Sequence, residues 1–179
     1  MAAGEMMTDE QARIRGYLTA QGAKLSPAEI IDKVRAAMDQ VRAAAQTVPD
    51  SRFGERPAAE EWSANEVMAH VVRAGRHFGG AIVGLLDGRP AGGVRDQLER
   101  EVPRQSAAEW WAMLEQDRAA LFARVEAADP RSRLADTVEH PFFGPLNWRE
   151  ALLFMRLHDL DHAGQLQKIA AALGAPRGA

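Results

Sequence analysis

Toward its C-terminal end the chain reads Arg156-Leu157-His158-Asp159-Leu160-Asp161-His162, with two imidazoles four residues apart. On a helix that spacing puts both rings on one face, roughly 6 Å apart at the backbone, where they can chelate a single metal ion. A third imidazole, His70, lies far upstream among Val67, Val71 and Ala74 in a segment of the same helical periodicity. All three fall on or near apolar stripes, so their rings are expected to converge on a core. A buried imidazole without a partner costs on the order of 1 to 3 kcal/mol, and one bound metal would satisfy three rings together. Satisfaction of each ring by a backbone carbonyl is the alternative that the residues alone leave open. Three nitrogen ligands leave at least one coordination position for water or substrate, as catalytic sites do. Imidazole suits zinc or nickel, and ligand type leaves iron, cobalt and manganese open.

The neighbours of these histidines admit two readings each. Asp159 and Asp161 are either carboxylate partners of the ligating rings or exposed charges paired with Arg156 or Lys168. Gln165 shares the face of His158 and His162, and either bonds a metal-bound water or seals the core. His77 lies two turns beyond His70, roughly 10 Å along the axis and too far to share an ion, so a surface or pocket position is expected. His140, before Pro141, is expected as a solvated loop histidine, with closure over the site as the alternative. Trp62, just before Ser63, is expected to staple a helix start.

Competing chemistries find less support. HDLDH has aspartate where the zincin HExxH has glutamate, and no ligand follows at the downstream spacing. The Glu-x-x-His pairs of di-iron bundles are missing, since Glu66 and His70 are four apart. The chain has no cysteine, which excludes disulfides, thiolate ligands and cysteine nucleophiles. No phosphate-cradling glycine loop or Ser/His/Asp pattern stands out.

Helices must position the rings, and the sequence marks where they begin. Five cap-type residues are each followed three positions later by Glu or Gln, a pattern that satisfies orphan backbone donors reciprocally: Thr8/Gln11, Ser26/Glu29, Ser63/Glu66, Ser106/Glu109 and Asn147/Glu150. Apolar periodicity then predicts helices over 9–21, 27–48, 64–86, 107–128 and 148–173, with Gly88 as a stop after the third. Four of these are about 20 residues long, which implies an all-α four-helix bundle, residues 25–179, preceded by an N-terminal helical extension, residues 1–24. Two long connections, 87–105 and 129–146, are expected to be functional or to cross the end of the bundle. A short extra helix is expected within GGVRDQLEREV, residues 92–102.

Composition narrows the function further. The 179 residues are 46% hydrophobic and 26% charged, ordinary usage for one globular core. Net charge is −3, without the basic excess of a nucleic-acid binder, so no nucleic acid is expected as a partner. No apolar run reaches the roughly 20 residues of a membrane helix, and the N-terminal stretch lacks a basic segment followed by a long apolar one. A cytoplasmic chain with no membrane partner is the expectation. Heavy alanine and arginine usage fits a GC-rich bacterial genome.

EWSANEVMAHVVRA, residues 61–74, followed by GPLNWREALLFMRLHDLDHAGQLQKI, residues 144–169, resembles the DinB-like superfamily over about Leu25 to Leu173. That resemblance implies a four-helix bundle with one histidine on the second bundle helix and an HxxxH pair on the fourth, which map onto His70, His158 and His162. It extends to thiol-dependent S-transferases and the mycothiol-dependent maleylpyruvate isomerase, which use a low-molecular-weight thiol and a divalent metal. The implied function is a metal-dependent transferase acting on a small-molecule substrate, the nucleophilic sulfur arriving with the thiol. A non-catalytic, metal-stabilised bundle serving as a binding or stress-response module is the alternative. The first helix lies outside the common core, and homodimerisation or covering of the pocket are its two open roles.

Overall fold

The computed structural model describes residues 8–89 and 102–174. Within them lie five helices, α1 (Asp9–Lys24), α2 (Pro27–Thr47), α3 (Ala64–Leu86), α4 (Ala107–Glu126) and α5 (Trp148–Gly174), and two short strands, β1 (Val138–His140) and β2 (Gly144–Leu146). The short helix expected within residues 92–102 lies outside the described residues, save Val102, which is not helical.

Each helix begins where its cap predicts. Thr8, Ser26, Ser63 and Ser106 accept from the third backbone N–H of their helices, and the paired Gln or Glu reaches back to the cap N–H. At α5, Asn147 Oδ1 accepts from Glu150 N–H at 3.1 Å while Glu150 accepts from Asn147 N–H at 3.0 Å. The third helix stops at Gly88, whose φ of +69° is the left-handed conformation that glycine adopts without a Cβ penalty. Arg89 N–H donates to Gly84 carbonyl and Gly88 N–H to Leu85 carbonyl, the paired bonds that close a helix C-terminus. The first helix continues through Gly22 to Lys24, beyond the expected end near 21, because Gly22 is buried against the Glu150 stem on α5.

The bundle closes as a ring in the order α2, α4, α3, α5, since α2 packs on α4 and α5 while α3 packs on the same two helices. Sequential helices α2 and α3 therefore sit diagonally, as do α4 and α5. Diagonal crossings fall in 48–63 and 127–147, whereas the long connection 87–106 joins packed neighbours. Of the two long connections expected to be functional or to cross the end of the bundle, the second joins diagonal helices. It also carries a structure that the helical pattern hid: β1 and β2 pair antiparallel, with Val138 opposite Leu146 and His140 opposite Gly144. Pro141, Phe142 and Phe143 form a three-residue turn closed by Gly144 at φ +68°, a common hairpin geometry.

The helix α5 is the hub, packed on α1, α2 and α3 and against β2. Its residues Leu152, Leu153, Met155 and Leu166 are fully or almost fully buried. The extension α1 lies on its first half, through buried Leu18, an Arg15–Glu150 ion pair at 3.1 Å and an Arg156–Tyr17 hydrogen bond at 3.1 Å.

Across the core, Arg118 of α4 reaches Asp159 of α5 and donates from Nη2 to both carboxylate oxygens at 3.0 and 3.1 Å. Both residues are buried, at 2% and 0% exposure. The guanidinium lies flat against Gly75 of α3, where an added Cβ would stand 3.4 Å from Nη2. Removing one member of a buried pair strands the other charge, at a cost of about 3 to 5 kcal/mol, while replacing both by apolar groups is often neutral. Arg118→Met should therefore lower unfolding free energy by about that amount, and Arg118→Met with Asp159→Leu should recover most of it. Urea titrations of the three proteins check this, and a single variant as stable as the parent would contradict it.

Candidate metal centre

The neighbouring helices α3 and α5 bring His70, His158 and His162 together. One nitrogen from each ring lies within 4.8 Å of the others. His70 Nε2 and His158 Nε2 are 3.0 Å apart, and ring centroids are separated by 5.0 Å for His70–His158, 4.7 Å for His70–His162 and 4.4 Å for His158–His162. A hydrogen bond at 3.0 Å needs one Nε2 to donate and the other to accept, so at least one of the two rings directs a nitrogen lone pair into the cluster. His162 Nδ1 lies 2.9 Å from Gln165 Oε1, one turn along α5. Donation from Nδ1 to the amide oxygen leaves Nε2 of His162 as the lone-pair nitrogen.

The α3 side of the seam is fixed by its start. Ser63 and Glu66 cap the helix, and Arg56 pairs with Glu66 in turn, which ties the preceding loop down. That loop delivers Trp62, whose ring meets His70 edge-on at 5.3 Å and lies parallel to His162 at 6.5 Å. Expected as a helix staple, Trp62 is a wall of the histidine cluster. On the opposite side Phe78 and Phe154 stand 6.3 and 6.1 Å from His158. The same two rings contact His140, at 6.0 and 4.4 Å.

His140 is not the solvated loop residue expected from the sequence. It is 6% exposed at the end of β1, stacked on Phe143 at 4.7 Å, with Nδ1 accepting from Phe142 N–H at 3.2 Å. Hairpin pairing turns its ring inward, and the sequence reading had no hairpin. His77 is exposed on α3, as its distance from His70 along the helix requires. Of the two aspartates, Asp161 is exposed and Asp159 is buried on Arg118, not on Arg156 or Lys168. Asp159 Oδ1 stays 3.8 Å from His158 Nδ1, beyond hydrogen-bond reach. Arg118 was missed altogether, although its position in the stripe Leu114, Arg118, Leu121, Val125 is a legible signal of an inward charge.

The donor set fits a divalent transition ion. Metal–nitrogen bonds of about 2.0 to 2.1 Å in tetrahedral geometry imply nitrogen separations of about 3.3 Å, so the 3.0 Å pair needs only a small expansion. Trp62 and the two phenylalanines give the half-buried cluster apolar walls. Electrostatics favour the ligating form as well. Burial and the neighbouring His158 push the His162 imidazole below its ordinary value, outweighing the Gln165 hydrogen bond and the negative Asp161 and Asp159 that act the other way. Neutral imidazole is the form that binds metal.

The chain is thus a helical bundle with a diagonal chain path and, on one seam, a three-histidine cluster that could hold a metal ion. The DinB superfamily matches residues 33–166, and the chain belongs to that family. Two solved structures share the fold. TT2238, described as a four-helix bundle protein, is 22% identical with a TM-score of 0.60, covering 80% of this chain and 99% of its own. YfiT from Bacillus subtilis, described as a probable metal-dependent hydrolase with an unusual four-helix bundle topology, is 13% identical with a TM-score of 0.65. That match covers 97% of this chain and 94% of YfiT. No curated protein sequence matches the chain.

A depressed imidazole has a defined consequence for the metal-free protein. Its neutral form contributes stability that is complete above the unfolded value of about 6.5 and is lost as pH falls through the lower folded value. Chelator-treated protein should lose stability on acidification from about pH 7 to pH 5, and His162→Asn should flatten that slope while keeping a donor for Gln165. Denaturation midpoints across the pH series test this; an unchanged slope in the variant would assign the acid sensitivity elsewhere.

Proposed function

We propose that the chain is a divalent-metal-dependent enzyme that activates a low-molecular-weight thiol for transfer to a small electrophile, with His70, His158 and His162 as ligands. The observation that supports this most is the cluster itself: three imidazoles on two helices, with no carboxylate within reach to close the set among the described residues. Three ligands leave an open position, as in catalytic sites, whereas a purely structural ion is usually held by four. A bound ion would supply Lewis acidity, lowering the pKa of a thiol or water at that position toward neutrality. Zinc or nickel fits imidazole donors.

The protein's own residues divide the remaining work. The three rings act as ligands and leave no general acid or base among themselves. Trp62, Phe78 and Phe154 place apolar rings against the half-buried ligands, which lowers local polarity and strengthens electrostatic attraction at the open position. The absence of cysteine is consistent with a sulfur nucleophile brought in by a cosubstrate. A hydrolytic reaction, with water in place of the thiol, is the second reading, and the likeness to YfiT favours it. Thiol-screened turnover of model electrophiles against thiol-free ester and amide hydrolysis separates the two.

Metal analysis of purified variants tests the ligand assignment. His158→Ala and His162→Ala should each lose most of the bound metal, because either change destroys the chelating pair. His77→Ala and His140→Ala should keep full stoichiometry, since neither ring belongs to the cluster. Full metal in both ligand variants, or loss in either control, would refute the assignment. Metal at about 100 times its dissociation constant should also stabilise the parent by about 2.7 kcal/mol.

A further inference from the structure

In the cluster, the second nitrogen of His162 meets a defined hydrogen-bond partner, Gln165 Oε1 at 2.9 Å. That contact carries more information than a filled hydrogen bond. Neutral histidine in water prefers to carry its proton on Nε2, and a ring in that tautomer would point N–H, not a lone pair, into the cluster. An acceptor placed on Nδ1 reverses the preference. We propose that Gln165 is a positioning residue of the centre: its amide oxygen holds the His162 proton on Nδ1 and orients the ring, so that Nε2 is presented to a cation beside His70 and His158.

The surroundings support the assignment. Gln165 sits one helical turn after His162, where side chains three apart share a face, so the contact is built into α5 and does not depend on a distant loop. Its amide is half-buried in the wall of an open cavity lined also by Leu160, Asp161, Gly164 and Lys168. Two charged groups in that wall, Asp161 and Lys168, could compete for the amide, yet the recorded partner is the imidazole. Glutamine also differs from the carboxylate that commonly supports ligating histidines: it fixes the tautomer without adding negative charge. The metal half of this inference rests on the function proposed above; the tautomer half does not.

The test uses the full chain, labelled with nitrogen-15, as the parent and as Gln165→Met and Gln165→Glu. Methionine keeps length and helix propensity but cannot accept the proton, whereas glutamate can. Imidazole nitrogen shifts in chelator-treated protein at alkaline pH, assigned by their loss in His162→Asn, report the tautomer without metal. Zinc dissociation constants from chelator competition report the consequence. The parent should carry its proton on Nδ1; Gln165→Met should shift it to Nε2 and weaken zinc about 10- to 100-fold; Gln165→Glu should preserve both tautomer and tight binding. An Nε2–H tautomer in the parent overturns the proposal, as does Gln165→Met with an unchanged tautomer and unchanged zinc affinity. A parent with Nδ1–H that takes up no zinc supports the role of Gln165 at the ring and defeats the metal reading instead.

Discussion

Placing His158, Asp159 and His162 within five residues of one helix forces the rest of the bundle to answer them. None of the three side chains is freely solvated, and a buried polar group left without a partner costs more than most single packing contacts return. Each is answered from a different place: His70 from α3, Arg118 from α4, and Gln165 from the next turn of α5. The ring order of helices follows the same demand. With α3 adjacent to α5, the histidines meet directly; with α4 diagonal to α5, only a side chain as long as arginine spans the core to Asp159.

The polar seam is bounded by aromatic rings that serve both packing and site. Phe78 and Phe154 contact His158 on one side and His140 on the other, so the hairpin at residues 138–146 is coupled to the cluster through the same two side chains. Phe142, at the turn, remains 61% exposed, while His140 and Phe143 on either side of the turn's tip are buried. An exposed aromatic next to a buried histidine places an apolar surface at the mouth of the aromatic wall. The hairpin is thus an extension of the site as well as a link between α4 and α5.

Helix positions were legible because they depend on neighbours in sequence. Five caps and the 3.6-residue stripes fix where each helix starts and which face turns inward, and that was enough to bring His70, His158 and His162 to one core. What escaped the sequence depends on partners far along the chain. Arg118 and Asp159 are 41 positions apart, and no local rule says that an inward arginine on one helix meets an inward aspartate on its diagonal neighbour. The hairpin escaped for a different reason: three-residue strands are too short to show alternation, and HPFFG looks like an ordinary loop. His140 was misplaced as a direct result. The ring contacts of Trp62 with His70 and His162 escaped because tertiary packing sets them.

Charge ties these features into one chemical statement. Neutral imidazole is the form in which this cluster could bind a metal ion, and Gln165 meets His162 without adding charge. Asp159, the fully buried carboxylate beside the cluster among the described residues, is paired with Arg118 and stays outside hydrogen-bond reach of His158. A dication on these ligands would keep its full positive charge in a setting walled by apolar rings, where Coulomb attraction is weakly screened. The open position would then select an anion, such as a thiolate or hydroxide, over its neutral conjugate acid. Had Asp159 faced the cluster without Arg118, its charge would offset part of the ion's and weaken that selection. With an ion bound to the three histidines, the buried ion pair across the bundle would do more than pair two charges, because it would keep a core carboxylate from offsetting the charge of the ion.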